Sequence, residues 1–253
     1  MSKVLIESNP TFKRSVPVGE PFVDVSEFFS DTIQGEGINL GVPAAFLRVQ
    51  GCTQACIWCD SQEVWRFGNP YTINELLNLM EESGLVEQLK NGQHLVFTGG
   101  SPLRVQKKLI FLVEAFIKRF KFKPYLEIEN ESVLMPFDEL IQYIDCWNNS
   151  PKLENSFNPK DFRYQPSVLK KLSSLPNSWF KFVVDTEVEW QEIKEDFLDT
   201  NLIRRDQIIL MPLGATRDEL FESRPRVVEI AIREGVRYCT REHVVLWNKK
   251  TGV

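Results

Sequence analysis

The chain has 253 residues, 43% hydrophobic and 26% charged, an ordinary globular composition that excludes collagen-like, disordered and coiled-coil architectures. Thirty Lys and Arg against 35 Asp and Glu give a net charge of −5, which lacks the basic footprint of a nucleic-acid binder. No apolar run approaches the twenty residues of a membrane-spanning helix, so neither nucleic acid nor membrane is an expected partner.

Residues 1–22 hold three prolines and few periodic apolar positions, and read as an extended arm ahead of a single core domain, 23–253. They carry no signal-peptide pattern, so a cytoplasmic, thiol-reducing setting is expected. Val23 to Phe29 reads as a first strand ending in the polar turn Ser30-Asp31, followed by a Gly-rich loop from Thr32 to Pro43. AAFLRV, Ala44 to Val49, reads as a buried strand that runs straight into a cysteine cluster. Thr72 to Gly84 has a Thr cap, a Glu three residues on and a closing Gly, which predicts a helix.

HLVFTGG (strand), KKLIFLVEAFIKRF (helix) and PYLEIEN (strand) follow. FDELIQYID (helix), the strand end CWNN, PSVLKKLSSL (helix) and SWFKFVV (strand) continue the order. VEWQEIKEDFLD (helix), QIILMPLG (strand), RPRVVEIAIREG (helix) and a final apolar run HVVLW complete it. Strands alternating with helices predict parallel βαβ units. Six or so units are too few for an eight-fold barrel, so the expected fold is α/β, a partial (β/α)6-type barrel: an open parallel sheet with helices outside. Reactive groups in such sheets gather beyond the C-terminal strand ends. Cys52 to Cys59, Gly99-Gly100, Glu127 to Asn130 and Ser150 to Lys152 all fall there.

Cys52, Cys56 and Cys59 form C-x3-C-x2-C, a spacing that binds three corners of an iron–sulfur cube and leaves one iron open. A structural zinc site is the alternative. It needs a fourth ligand, and His94, His243, Cys146 and Cys239 all lie outside zinc-finger spacing. Cys146 and Cys239 read as small buried hydrophobes.

With an aromatic residue, Trp58, before its last cysteine, this cluster resembles that of the radical S-adenosylmethionine (SAM) superfamily, and TGGSP, Thr98 to Pro102, resembles that superfamily's Gly-Gly-Glu-Pro segment. TIQGEG (32–37), FLRVQGCTQACIWCDS (46–61), SPK (150–152) and LWNKKTGV (246–253) narrow the resemblance to the 7-carboxy-7-deazaguanine synthase family. The resemblance implies a [4Fe-4S] cluster on the three cysteines, SAM chelating the open iron, and Mg²⁺. It implies a radical lyase that converts 6-carboxy-5,6,7,8-tetrahydropterin to 7-carboxy-7-deazaguanine with loss of ammonia. A pterin as the small-molecule substrate, a flavodoxin- or ferredoxin-type reductant and a homodimer are implied with it.

By resemblance, Trp58, Cys59, Asp60, Gly100, Ser101, Ser150, Pro151, Lys152 and Met211 would contact SAM. Ile33, Gln34, Gly35, Glu36, Arg48, Thr98 and Val253 would contact the substrate, with Arg48 on its carboxylate, a pairing that guanidinium geometry suits. Ser61 would offer Mg²⁺ a hydroxyl oxygen, or else simply cap a helix. Arg48 as a surface salt bridge, Glu36 as a surface carboxylate, and Trp58 as core are the competing readings. Two departures stand out: position 101 is Ser where the superfamily usually has Glu, and the Glu-Thr-Asn/Gln-Gly pattern expected after the next strand reads Glu127-Ile-Glu-Asn130. Another small radical SAM enzyme, such as a glycyl-radical activase, and a non-catalytic metal-binding module are the alternatives.

Overall fold

The computed structural model describes residues 2–253. Ten strands share one sheet: β1 (Lys3–Ile6), β2 (Phe22–Ile33), β3 (Pro43–Val49), β4 (Asn69–Thr72), β5 (His94–Gly99), β6 (Tyr125–Asn130), β7 (Cys146–Asn149), β8 (Ser178–Val184), β9 (Ile208–Pro212) and β10 (Arg237–Tyr238). Their order is β1-β2-β3-β5-β6-β7-β8-β9-β10, with β4 on the side of β2. From β3 to β10 every pairing is parallel, whereas β1, β3 and β4 run antiparallel to β2. The strand order ends at β1 and β10, which do not pair, so the sheet stays open.

Alternation along the strands explains both faces. Leu47, Phe97, Ile128, Trp147, Phe182 and Leu210 point to the side covered by helices and share one apolar core. Their in-between neighbours, Arg48, Thr98, Glu127, Glu129, Asn148 and Lys181, belong to the other face, as a period of two requires. Lys181 and Glu127 are buried there at 2% and 0% exposure, which an apolar strand tolerates only when each charge is paired. One face of the sheet holds the fold together and the other carries chemistry.

The helices follow from their caps. Ile73–Glu82 starts on a capping box in which Thr72 and Glu75 satisfy each other's backbone N–H groups. Gln106–Phe120 buries Leu109, Leu112, Val113 and Phe116 and ends at Lys121 in the left-handed region.

Several expectations change. Part of the N-terminal arm is itself a strand, because Lys3–Ile6 pairs along the outer edge of β2. The turn expected at Ser30-Asp31 is a bulge inside a continuous β2, with Asp31 at φ 57°. The helix expected from Arg224 begins at Arg217, on a Thr216–Glu219 capping box, and runs through Pro225. FDELIQYID keeps one turn, Asp138–Ile141. HVVLW lies in a helix, Glu242–Trp247. No helix is long and apolar enough to cross a membrane among the described residues.

Candidate active site

Beyond the C-terminal ends of the parallel strands the sheet opens into a cleft of about 1170 Å³, mouth included. Cys52, Cys56 and Cys59 line it from the loop after β3, and all three are free thiols. Each sulfur already has a donor. Cys52 Sγ accepts from the Gln54 N–H at 3.3 Å and Ser101 Oγ at 3.5 Å, Cys56 Sγ from Asn158 Nδ2 at 3.2 Å, and Cys59 Sγ from Trp65 Nε1 at 3.5 Å. Burial pushes the Cys52 and Cys56 thiols up, and Lys152 pulls both back down. Three converging thiols with N–H and O–H donors are the donor set an iron–sulfur cluster takes, so the residues present fit that group. Cys146 and Cys239 are buried apart from the cleft, and burial raises both thiols, Cys239 to about 11.

The glycines after β5 are needed by close approach. A Cβ on Gly100 would stand 2.3 Å from the Gly51 carbonyl oxygen and 2.5 Å from Cys52 Cβ, and one on Gly99 would stand 2.4 Å from the Val49 carbonyl oxygen. The Gly-Gly step thus lets the end of β5 lie against the start of the cysteine loop, where the Ser101 N–H donates to the Gly51 carbonyl at 3.0 Å.

Opposite the thiols lies a network of charges. Lys181 Nζ is 2.9 Å from Glu36 Oε2 and 3.4 Å from Glu129 Oε1. Arg241 bridges Glu36, at 3.2 Å, and Asp60, and donates to the Gly214 carbonyl at 2.6 Å. Burial alone would raise the Glu36 carboxyl, but Lys181, Arg241 and His243 outweigh it and hold it at about 2. Asp60 is likewise held below its ordinary value by Arg241 and His243 against its burial. Lys181 and Arg241 are raised by their carboxylates despite burial. Oxygen and nitrogen atoms of Glu36, Asp60 and His243 lie within 4.8 Å of one another, but Arg241 already supplies a cation there.

Of the residues singled out in the sequence, Ile33, Gln34, Gly35, Glu36, Arg48, Trp58, Asp60, Ser61, Thr98, Gly100, Ser150, Lys152, Met211 and Val253 line the cleft beside the three cysteines. Ser101 and Pro151 do not. Both are buried, and Ser101 Oγ is turned onto Thr53 and Cys52. Arg48 faces its cross-strand neighbour Glu27 rather than bulk water, with Nε at 3.4 Å, and its two Nη groups make no hydrogen bond to a described residue. Ser61 stands at the cap position of Gln62–Trp65 without a side-chain cap bond, and its hydroxyl instead lies 3.8 Å from Cys59 Sγ. Glu129, not Glu127, lines the cleft. Glu127 instead holds His94 at 2.5 Å and Asn148 at 2.8 Å. Counted from Glu129, the fourth residue is Ser132, whose φ of 66° supplies the turn that a Gly was expected to make.

Glu131, Lys181, Arg241 and His243 were not singled out as site residues from sequence, and Glu129 only as part of the strand end 127–130, yet all line the cleft. Lys181 and Glu129 had a usable signal, a charge inside an apolar strand. Arg241 and His243 had none.

An open parallel sheet, with a three-cysteine loop on the rim where ligands bind, defines the class: a radical SAM enzyme. A model of the 4Fe-4S single cluster domain matches residues 33–148. The chain is 33% identical over 92% of its length to a Pyrobaculum aerophilum protein named 7-carboxy-7-deazaguanine synthase, covering 98% of it. It is 30% identical over 90% of its length to a Rhodopirellula baltica protein of the same name, covering 88% of that one. The crystal structure of QueE from Escherichia coli shares the fold at a TM-score of 0.65 and 22% identity, with 89% of this chain and 96% of that one covered. The chain belongs to the 7-carboxy-7-deazaguanine synthase family.

Proposed function

We propose that this enzyme converts 6-carboxy-5,6,7,8-tetrahydropterin to 7-carboxy-7-deazaguanine with release of ammonia, with a [4Fe-4S] cluster, SAM and Mg²⁺ as cofactors. The convergence of three free, donor-supported thiols on one polar cleft carries this reading, in a chain whose relatives bear the synthase name over nearly its whole length. When bound, the cluster and SAM supply a 5′-deoxyadenosyl radical that abstracts a substrate hydrogen.

The protein's part is binding and orientation. Cys52, Cys56 and Cys59 hold three irons. Lys152 faces the SAM carboxylate, with Ser150 and Met211 about the ribose and methionine, and Pro151, buried behind the cleft, fixes the backbone between Ser150 and Lys152. Trp58 flanks the adenine, its ring fixed by a 3.0 Å bond from Nε1 to the Asn155 carbonyl. The free Nη groups of Arg48 take the substrate carboxylate as a fork. Gln34, with its side-chain oxygen 3.2 Å from the Glu36 N–H, meets the pterin ring together with Ile33, Gly35, Glu36 and Thr98. Phe29 and Phe46, stacked at 5.2 Å, line the cleft and help exclude water. Val253 closes over the substrate, and the Ser61 hydroxyl, free of the helix cap, serves Mg²⁺. A homodimer, a flavodoxin- or ferredoxin-type reductant, a cytoplasmic setting and a queuosine-type deazapurine route complete the proposal.

An anaerobic turnover assay tests it. Reconstituted protein, SAM, Mg²⁺, dithionite and the tetrahydropterin are combined, with Cys56→Ala as the blank. Mass spectrometry is expected to find 7-carboxy-7-deazaguanine in the wild type alone. 5′-Deoxyadenosine without that product would keep the radical chemistry and discard the substrate. Neither, despite a loaded cluster, would discard both.

A further inference from the structure

The helix Arg217–Glu234 packs one face on the molecule and leaves an apolar stripe on the other. Leu220, Ser223, Val227, Ile230 and Ala231 are its buried residues. Phe221, Pro225, Val228 and Ile232 follow one another at helical spacing, which sets all four on a single line along the helix. Phe221 and Ile232 are 56% and 76% exposed, Pro225 is exposed and Val228 is half-buried. Leu246, also exposed, stands beside the start of this helix, because Arg217 donates to its carbonyl at 3.1 Å. A continuous apolar stripe of this kind marks an interaction surface.

The charges beside the stripe are sorted by sign. In the heptad register with Phe221 and Val228 at d and Pro225 and Ile232 at a, Glu222 and Glu229 fall at e, and Arg217 and Arg224 at g. One flank is therefore acidic and the other basic. Among the described residues this helix makes its ion pairs through Arg226, Arg233 and Glu234, whereas Glu222, Arg224 and Glu229 make none. Two copies of the helix packed parallel, about a two-fold axis along them, bring each g residue to the partner's e residue five positions on. Arg217 then meets the partner's Glu222, and Arg224 meets the partner's Glu229. An antiparallel pair would instead set Glu against Glu and Arg against Arg, which these charges oppose.

From this we infer that the chain associates with a second copy of itself through the outward face of Arg217–Glu234, as a parallel two-fold helix pair. The patch is self-complementary in both shape and charge, as an isologous interface requires. The inference names the face of the homodimer proposed above, and rests on that part of the proposal alone. The stripe covers less than two heptads, a small interface, so the dimer is expected to dissociate on dilution.

Sedimentation equilibrium of the cluster-loaded protein, kept anaerobic over a hundredfold range of concentration, tests it. The wild type is expected to pass from monomer to dimer across that range. Ile232→Glu places like charges in the seam and is expected to weaken the dimer at least tenfold. Arg224→Glu and Glu229→Arg, each alone, are expected to weaken it at least threefold, and the two together to restore it within twofold of wild type. None of the three positions is buried, so circular dichroism and iron content are expected to stay as in the wild type. A dimer that survives Ile232→Glu, or that the single charge exchanges leave alone or tighten, overturns the face while the homodimer stands. A wild type that is monomeric throughout overturns both, and the catalytic reading is untouched by either result.

Discussion

Lys181 Nζ and Glu36 Oε2 meet at 2.9 Å although 145 residues separate them, one on a central strand and the other on the loop after β2. The pair ties the loop between β2 and β3 to β8 inside the cleft. Lys181→Met removes the cation and leaves Glu36 and Glu129 partly uncompensated, at an expected cost of about 3 kcal/mol. Urea unfolding of the metal-free protein measures it. A loss below about 1 kcal/mol would show that Arg241 carries the network alone.

The same network sets a pH dependence. Glu36 is held at about 2 against an ordinary 4.5, so its stabilising contribution is complete above pH 4.5 and is lost as pH falls toward 2. Glu36→Gln removes that titration. The stability gap between wild type and Glu36→Gln is therefore expected to stay constant from pH 7 to 5 and to close between pH 4.5 and 2. A gap independent of pH would contradict the charge assignment.

Ser61 separates two roles by two readouts. A capping hydroxyl contributes about 1 kcal/mol to its helix, but no cap bond forms here, so Ser61→Ala should leave the melting temperature within about 1 °C. Stimulation of turnover by Mg²⁺ is expected to fall at least tenfold. Unchanged stimulation would remove Ser61 from the metal site.

Gly100→Ala tests the close approach of β5 to the cysteine loop. Its Cβ would fall 2.3 Å from a backbone oxygen, so one strand end must shift, at about 1–3 kcal/mol. Reduced iron content after reconstitution, together with a lower melting temperature, is the expected result, because the displaced segment carries Cys52. Gly92→Ala, at φ 97° with open space around it, measures the cost of backbone strain alone for comparison.

Arg48→Lys keeps the charge and loses the fork. With two free Nη groups matched to a carboxylate, the exchange is expected to raise the substrate KM by about tenfold or more and leave iron content and SAM affinity unchanged. An unaltered KM would return Arg48 to a purely structural partner of Glu27.

Much of this was legible locally. The cysteine spacing, the Gly-Gly step and the Thr72–Glu75 capping box each lie within a few residues, where covalent geometry ties sequence to shape. The alternation in LEIEN and FKFVV was legible too, since a charge in every second place of an apolar strand marks the face turned away from the helices. Misreadings came where long-range pairing overrode local signals: Asp31 reads as a turn but bulges within β2, held by β3 on one side and β1 on the other.

What the sequence by itself determined was the chemistry available: three thiols at cluster spacing, a parallel α/β order that sends strand ends to one rim, and a family pattern on that rim. What only the tertiary structure decided was which charges meet. Arg241 reaches Asp60 across 181 residues and Lys181 reaches Glu36 across 145, because six strand ends converge on one cleft and burial there forces each charge to find a partner.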